Sequence, residues 1–254
     1  MIYFKTDKMD VQEFALKETF IYYFIMNLKP EHLIKLYQCC KFFYARFCRN
    51  SIRHLVIVDD NGAEILNATK TTIRASNTAL KKLADFWISD SFTSRARFNV
   101  KITLPTFSRC IIKKLELCDY IKQNEFLMLT KAGTIEELKI TSVFAENGGF
   151  IPIEDIVIEV PYAKSIEFSA HFTEESHEAL LSVNHNVKFT KFILRLRNPV
   201  YIFNIDKFEE FIRKNAETDC HVRIKFESYF PPSMTNVLIS LEKSYNDTLK
   251  QLWK

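Results

Sequence analysis

The stretch "IKKLELCDYIKQNEFLMLTKAGTIEELKIT" (residues 112–141) contains one structural repeat of this chain. Apolar and charged residues alternate at both of its ends, in Leu-Glu-Leu at 115–117 and Leu-Lys-Ile at 138–140, and such alternation predicts strands that bury one face. The segment 123–133 between them has apolar residues at helical spacing and ends at Gly133, a residue that suits a helix terminus. A strand, a helix and a second strand predict a parallel pair with a helical crossover.

The same strand pattern recurs along the chain. Further predicted strands are "RHLVIV" (53–58), "AKSIEFS" (163–169), "FILRLRN" (192–198) and "HVRIKFE" (221–227). Helices are predicted at 173–183, where Thr173 would act as the N-cap, and at 204–216. Between 59 and 110 the repeat is less regular, with "IRAS" and "NVKITL" as predicted strands and "NTALKKLADFWI" as a predicted helix.

One buried position can be assigned in each repeat, followed by a second buried position two residues later. The first buried positions are Leu115, Leu138, Ile166, Leu194 and Ile224. They are spaced by about 23 to 30 residues, within or near the period of leucine-rich repeats. The region 51–254 therefore resembles an irregular leucine-rich-repeat domain. The resemblance implies an α/β solenoid with a parallel sheet, and we expect the helical segment 231–253 to cover its open end.

The residues between the two buried positions are expected on the open face of the sheet. They are Glu116, Lys139, Glu167, Arg195 and Lys225. Arg197, two residues after Arg195, is a further candidate on this face. Two interpretations are open for these residues. They form a solvated row in which opposite charges pair across strands, or they form a face that binds a protein target. The acid-free basic stretches 91–115 and 186–203 leave the same choice between a solvated face and a site for an acidic or phosphorylated segment.

The first fifty residues have a different pattern. Apolar residues at helical spacing from Val11 to Leu28 predict one helix, and Pro30 suits the first turn of a second helix that continues to Phe47. Two short helices cannot bury such apolar stripes against each other completely. The remainder either forms a protein-binding patch or is covered by the C-terminal domain.

This N-terminal stretch resembles a divergent F-box, the helical module with which substrate receptors bind the Skp-type adaptor of cullin–RING ubiquitin ligases. It is most similar to the nematode F-box-like families. Lys17, Thr19 and His32 depart from the usual pattern. The resemblance implies that residues 1–50 form an adaptor-binding module. The adaptor contacts it implies are Leu16, Phe20, Phe24, Leu28, Pro30, Leu33, Leu36, Cys40 and Phe43.

Composition limits the other classes of function. The chain has 254 residues and a formal charge of only +4, so we do not expect a nucleic-acid partner. The six cysteines include no C-x-x-C pair and predict reduced, buried thiols. The first ten residues do not have the pattern of a secretory signal, and no apolar stretch is long enough to span a bilayer. We expect an intracellular protein of the cytoplasm or nucleus.

The sequence shows no motif for catalysis, metal binding or a cofactor. The segment "HFTEESHEALLSVNH" contains three histidines, but the helical position four residues after His177 is Leu181, so we read it as a surface helix. We therefore predict a non-enzymatic substrate receptor of a ubiquitin ligase, with an adaptor, a cullin and a protein target as partners. The alternative is a repeat-type interaction scaffold or inhibitor in which the F-box-like helices pack on the repeats.

Overall fold

The computed structural model describes residues 17–28, 30–47, 51–66, 70–96, 104–196, 203–226 and 235–252. These residues form an α/β structure with a large, mostly parallel sheet. The predicted α/β class and the predicted parallel sheet are confirmed at this level. No described helix is long and apolar enough to cross a membrane.

The strands follow the predicted alternating segments closely, with additions between them. They are β1 (Ser51–Val58), β2 (Ile65–Leu66), β3 (Lys70–Arg74), β4 (Trp87–Ser94), β5 (Arg109–Leu117), β6 (Tyr120–Lys122), β7 (Glu137–Ile140), β8 (Ser142–Phe144), β9 (Ser165–Ala170), β10 (Phe189–Leu196) and β11 (Ala216–Phe226).

The helices lie at the N-terminus, between strands and at the C-terminus. They are α1 (Glu18–Asn27), α2 (Pro30–Cys39), α3 (Lys41–Phe47), α4 (Gln123–Thr130), α5 (Ile153–Ile158), α6 (Ser176–Ser182), α7 (Ile205–Asn215) and α8 (Thr235–Leu249), with a 3₁₀ helix at Thr78–Asp85.

The large sheet has the strand order β11-β10-β9-β7-β5-β4-β1-β3-β2. All neighbouring strands are parallel except β2 and β3. From β4 to β11 each strand of this sheet follows its neighbour along the chain, whereas β1 lies between β3 and β4. The strand order is therefore sequential over only part of the predicted repeat region. Strands β6 and β8 form a separate two-stranded sheet.

A single hydrophobic core joins one face of the large sheet to the helices that connect its strands. Leu115, Leu138 and Ile166 lie side by side on adjacent strands and are buried. Phe126 of α4 and Phe211 of α7 belong to the same core and are also fully buried. Because α4 to α8 all contribute to this core, the helices cover one face of the sheet and leave the alternate residues on the other face open.

The register between β9 and β10 differs from the prediction. Ile166 is opposite Phe192, and Phe168 is opposite Leu194, so the predicted alignment of Ile166 with Leu194 is wrong by two residues. Phe192 and Leu194 are both buried on the same face of β10. A pattern with a period of two allows either alignment, and only the packing selects one of them.

Strand β4 was not predicted. The predicted helix at 77–88 is a 3₁₀ helix that ends at Asp85, and the strand begins at Trp87. Asp90 has a positive φ of 66°, and in the pairing with β1 the two residues Ser89 and Asp90 stand against the single residue Arg53, so alternation is interrupted inside the strand. The predicted strand "NVKITL" lies largely outside the described residues.

The predicted helix boundaries need two corrections. The second N-terminal helix divides at Cys40 into α2 and α3, although the Cys40 N–H still donates to the Leu36 carbonyl at 3.0 Å. Helix α6 begins at Ser176 with Glu175 as its N-cap, so Thr173 is not the cap residue. Instead, the Thr173 N–H donates to the Ser176 hydroxyl at 3.0 Å. The predicted end of α4 is confirmed, because Gly133 has a φ of 62° and its N–H donates to the Thr130 carbonyl.

Helix α6 has exposed positions such as Glu178, but His177 lies on its buried side, which the sequence did not indicate. Its side chain is 5% exposed and packs against Phe172 and Phe203, whose ring centroids lie 5.1 Å and 5.8 Å away. The Asn204 N–H donates to His177 Nε2 at 3.0 Å, which requires that nitrogen to be unprotonated. Burial lowers the pKa of His177, and the charge of Lys207 lowers it further.

Helix α8 covers the outer edge of β11, as predicted for the terminal helix. The Asn246 side chain accepts from the Ile224 N–H at 2.9 Å and donates to the Ile224 carbonyl at 2.8 Å. The Glu242 carboxylate accepts from the Phe226 N–H at 3.2 Å. These side chains satisfy backbone groups that would otherwise remain available for pairing with another chain.

We expect the free energy of unfolding to fall as the pH is lowered from ~7.5 to ~5.5, because the unfolded chain binds protons at histidines that the folded chain keeps neutral. His177 and His185 both contribute to this loss of stability, because burial lowers the pKa of each. Urea unfolding at several pH values measures this slope. His177→Gln should reduce the slope, whereas His32→Gln at an exposed position serves as the matched control. An unchanged slope in His177→Gln would contradict this role.

We expect Asn246→Ala to lower the free energy of unfolding by about 1–3 kcal/mol, because it leaves the N–H and C=O of Ile224 without their partner. The control is Ser244→Ala on an exposed position of the same helix, with an expected change within about 0.5 kcal/mol. Chemical denaturation of both variants gives the comparison. Equal losses in the two variants would show that Asn246 does not have this special role.

Candidate functional site

Helices α1 and α2 pack against each other and against the start of β4. Ile21 and Ile25 of α1 and Leu33 and Tyr37 of α2 form a small buried cluster with Trp87. Trp87 lies on the opposite face of β4 from Ile88, which belongs to the main core. The N-terminal helices therefore pack on the open-face side of the sheet, where Trp87 is the sheet residue in their buried cluster among the described residues.

The guanidinium of Arg109 stacks on the ring of Trp87. Its Cζ lies 4.7 Å from the centroid of the Trp87 ring, a distance at which a cation and an aromatic face attract each other. Arg109 is directly opposite Trp87 on β5. Burial lowers the pKa of Arg109, but the guanidinium remains protonated near neutral pH. The contact therefore joins strand β5 to the ring of β4 that packs against the helices.

A second face of α1 is not covered by any described residue. Phe20, Tyr23 and Phe24 lie on one side of the helix and are 58%, 66% and 60% exposed. Tyr22 is exposed on another side. Large aromatic side chains grouped on one short helix form the kind of exposed apolar patch that marks an interaction surface. We call Phe20, Tyr23 and Phe24 the aromatic face.

The implied adaptor contacts are thus divided between exposed and buried positions. Phe20 and Phe24 belong to the aromatic face, while Leu33 is 2% exposed and lies in the cluster with Trp87. The backbone of α2 begins at Pro30, as predicted. Leu16 lies outside the described residues. The remaining contacts are partly buried, and they are Leu28, Leu36, Cys40 and Phe43.

The open face of the sheet carries a grid of charged residues. Lys139 donates to Glu116 at 3.0 Å, and this hydrogen bond is the main reason that the pKa of Glu116 lies below its usual value. In the preceding row Lys114 pairs with Glu137 at 2.9 Å. Between β5 and β7 the open-face charges therefore neutralise each other, which is the solvated-row interpretation for Glu116 and Lys139.

Glu167 also has partners, but they come from two levels of β10. Lys191 lies 3.4 Å from its carboxylate, and Arg195 forms an ion pair with the same group. Ile193 is the residue directly opposite Glu167, because of the register difference described above. The predicted row therefore does not continue straight from Glu167 to Arg195. A single carboxylate instead bridges two cations on the neighbouring strand.

The sheet ends in a corner where cations predominate. Arg195 is directly opposite Lys225 on β11, and Arg223 lies two residues before Lys225 on the same face. Arg223 is 3.9 Å from Glu242 of α8, and no described carboxylate forms an ion pair with Lys225. Arg197 lies outside the described residues. We call Lys191, Arg195, Arg223 and Lys225 the basic corner.

Two grooves open near these residues. One, of about 640 Å³, lies between β11 and α8 and is lined by His221, Arg223, Ile239 and Glu242 among others. The other, of about 540 Å³, follows the starts of several strands and includes Ser89, Tyr162 and Lys164. The Ser89 hydroxyl is buried and has no hydrogen-bond partner among the described residues.

Sequence reasoning missed Arg223, Ile239 and Trp87 as site residues. Arg223 stands one alternation before Lys225 in "HVRIKFE", so extending the open-face pattern by two residues would have found it. Trp87 and Ile239 carry no such signal, because each matters through a neighbour that only the fold supplies.

The described residues contain no group of three or more His, Cys, Asp or Glu side chains that could hold a metal ion. Cys39 and Cys118 are exposed, so the prediction of buried thiols is wrong for these two residues. Burial raises the pKa of the Cys110 and Cys220 thiols to about 12, so both are protonated near neutral pH. The chain matches no protein-family model, no curated protein and no solved structure.

We expect Trp87→Ala to loosen the attachment of α1 and α2 to the sheet, because it removes a ring that is 97% buried in their shared cluster. Truncation of a buried tryptophan costs about 3–5 kcal/mol. Limited proteolysis should then cut within residues 17–47 faster than in the wild type, and Trp87→Phe should show an intermediate rate. Cutting at the wild-type rate in Trp87→Ala would refute the role of Trp87 as the attachment point.

Proposed function

We propose that this protein is the substrate-recognition subunit of a cullin–RING ubiquitin ligase. In this proposal α1 to α3 act as an F-box-like module that binds a Skp-type adaptor, and the sheet domain binds a protein target. The observation that carries it is the aromatic face of α1. Phe20 and Phe24 were implied as adaptor contacts by the sequence resemblance, and both are exposed on a helix whose other side is already packed.

The geometry supports such a module in a second way. Ile21, Ile25 and Leu33 anchor the helices to Trp87, so the aromatic face is held on a rigid support. Ordered presentation reduces the conformational entropy lost on binding. The mechanism needs no catalytic side chain. A receptor that holds a target and an adaptor at once raises the local concentration of the target near the ligase.

We further propose that residues 51–254 are an irregular leucine-rich-repeat-like solenoid. The support is the sequential strand order from β4 to β11 and the helical crossovers that pack on one face. The part at β1 to β3 departs from a solenoid, because β1 lies between β3 and β4. In this proposal the departure forms the seat of the N-terminal module, since Trp87 begins the strand beside β1.

A second candidate function is a scaffold or inhibitor without a ligase. The observation that favours it is the burial of Leu33, which lies against the sheet side of the module and cannot contact an adaptor in this arrangement. In that case the aromatic face binds a different protein. The two functions differ in whether a Skp-type adaptor binds the aromatic face.

We expect the wild-type chain to co-purify with a Skp-type adaptor, and the double variant Phe20→Glu and Phe24→Glu to lose the adaptor. Both side chains are exposed, so the substitutions remove an apolar contact without opening the core. Loss of two central aromatic contacts should weaken binding by at least about a hundredfold. Pull-down followed by isothermal titration measures the change.

Tyr162→Glu is the matched control, because Tyr162 is an exposed aromatic residue before β9. Adaptor binding should be unchanged in this variant. If the folded wild type binds no adaptor, or if the double variant binds as well as the control, the ligase function is refuted and the scaffold function is favoured.

A further inference from the structure

The geometry points to a binding site for a short acidic segment of the target at the basic corner and the adjoining groove between β11 and α8. The segment would carry carboxylates for the corner and an apolar side chain for the groove. This inference rests on the proposed function, because it names the chemical class of the target. Neither the corner nor the groove involves the aromatic face of α1.

The charges of the corner are not balanced. Its four cations are Lys191, Arg195, Arg223 and Lys225, and the described carboxylates that pair with them are Glu167 and Glu242. Four positive and two negative charges leave an excess of two. Arg195 and Lys225 are directly opposite each other on parallel strands, where like charges destabilise the pair. A bound carboxylate would relieve this repulsion.

The excess is local to this end of the sheet. On β5 and β7 each open-face lysine has a glutamate within ion-pair distance, as in Lys114–Glu137 and Lys139–Glu116. This pairing of opposite charges across strands stops at β10, where the residue opposite Glu167 is the apolar Ile193. Ile193 is buried between charged neighbours, so the corner combines an apolar centre with cations around it.

The groove extends the corner around the edge of the sheet. Arg223 belongs to both, and the apolar part of the groove is formed by Val222, Ile239 and Leu249. Ile239 is 62% exposed, so a ligand side chain could cover it. The volume of about 640 Å³ lies in the range of ligand pockets.

The backbone of β11 offers further contacts. The N–H and C=O of Ile224 face α8, where Asn246 binds them. Backbone groups alternate in direction along a strand, so those of Val222 face the same side, and Val222 lines the groove. An extended peptide can therefore form main-chain hydrogen bonds in the groove while its carboxylates lie at the corner.

The charges around the site also set its limits. Glu217 and Asp219 are exposed at the start of β11, beyond the groove, and Glu167 and Glu116 lie on the opposite side. A long polyanion such as a nucleic acid would meet these carboxylates on both sides. In addition, the open-face residues of β10 and β11 in the described ranges include no Phe, Tyr or Trp on which bases could stack. A short acidic peptide fits this arrangement better.

The test uses a short fluorescein-labelled peptide of alternating Glu and Leu, with the Gln and Leu version as the peptide control. Fluorescence anisotropy with the full chain should show binding of the acidic peptide and at least about tenfold weaker binding of the Gln version. Arg223→Gln combined with Lys225→Gln should weaken binding of the acidic peptide at least about tenfold. Ile239→Ser should weaken it by about threefold to tenfold, through the groove alone.

The charge-matched control is Lys81→Gln combined with Lys131→Gln, two exposed positions away from the corner, and binding should be unchanged. The proposal is overturned if the wild type does not bind the acidic peptide, or if the control loses as much affinity as the corner variant. It is also overturned if a single-stranded oligonucleotide binds more tightly and depends on the same two residues.

The adaptor is absent from this assay, so the two proposals fail separately. Peptide binding without adaptor binding would refute the ligase function and leave the acidic-segment site in place. Adaptor binding by a chain that does not bind the peptide would refute the acidic-segment site and leave the ligase function in place. The corner variant should retain adaptor binding in the pull-down, because its residues lie far along the sheet from Trp87 in strand order.

Discussion

The burial of only one face of the parallel sheet is the constraint on which the other features depend. Helices α4 to α8 all pack on the face that carries Leu115, Leu138 and Ile166. The hydrophobic driving force for folding is therefore concentrated in one layer. On β5, β7 and β9 the opposite face carries charged and hydroxyl side chains, among them Glu116, Lys139 and Glu167, which are compatible with water. The charged rows and the basic corner lie on the open face as a consequence of this asymmetry.

The N-terminal helices pack against the large apolar side chain of Trp87 at the start of β4. Trp87 is buried by Ile21, Ile25, Leu33 and Tyr37. Since the tryptophan covers only one side of α1, the aromatic residues on the other side remain exposed. One side of α1 is therefore packed on the sheet while its other side forms an exposed apolar patch.

The charges of the open face follow from the strand register. Where opposite charges fall at the same level, as in Glu116 and Lys139, they pair and the face is neutral. Where the register brings Arg195 opposite Lys225, the same alternation concentrates positive charge. An exposed pair contributes little to stability. In the proposal above, the unbalanced charge of the corner therefore affects the binding of an acidic segment more than it affects stability.

The sequence alone determined most strands of the repeat region and helices α4, α6 and α7, since local alternation and helical spacing depend on neighbouring residues only. The segments around Leu115, Leu138 and Ile224 formed strands as predicted, and Gly133 ended α4. The sequence also named Phe20 and Phe24 as candidate contacts. It did not indicate that these two residues are exposed while Leu33 is buried.

Only the tertiary structure decided the features that depend on distant residues. The alignment of Ile166 with Phe192 was open because two apolar positions of β10 satisfy the same pattern. Strand β4 escaped detection because a bulge at Ser89 and Asp90, seen in its pairing with β1, interrupts its alternation. The burial of His177 depends on Phe203, and that of Leu33 depends on Trp87. A periodic pattern specifies which face of an element is apolar, but the residues that cover that face are brought there by the fold.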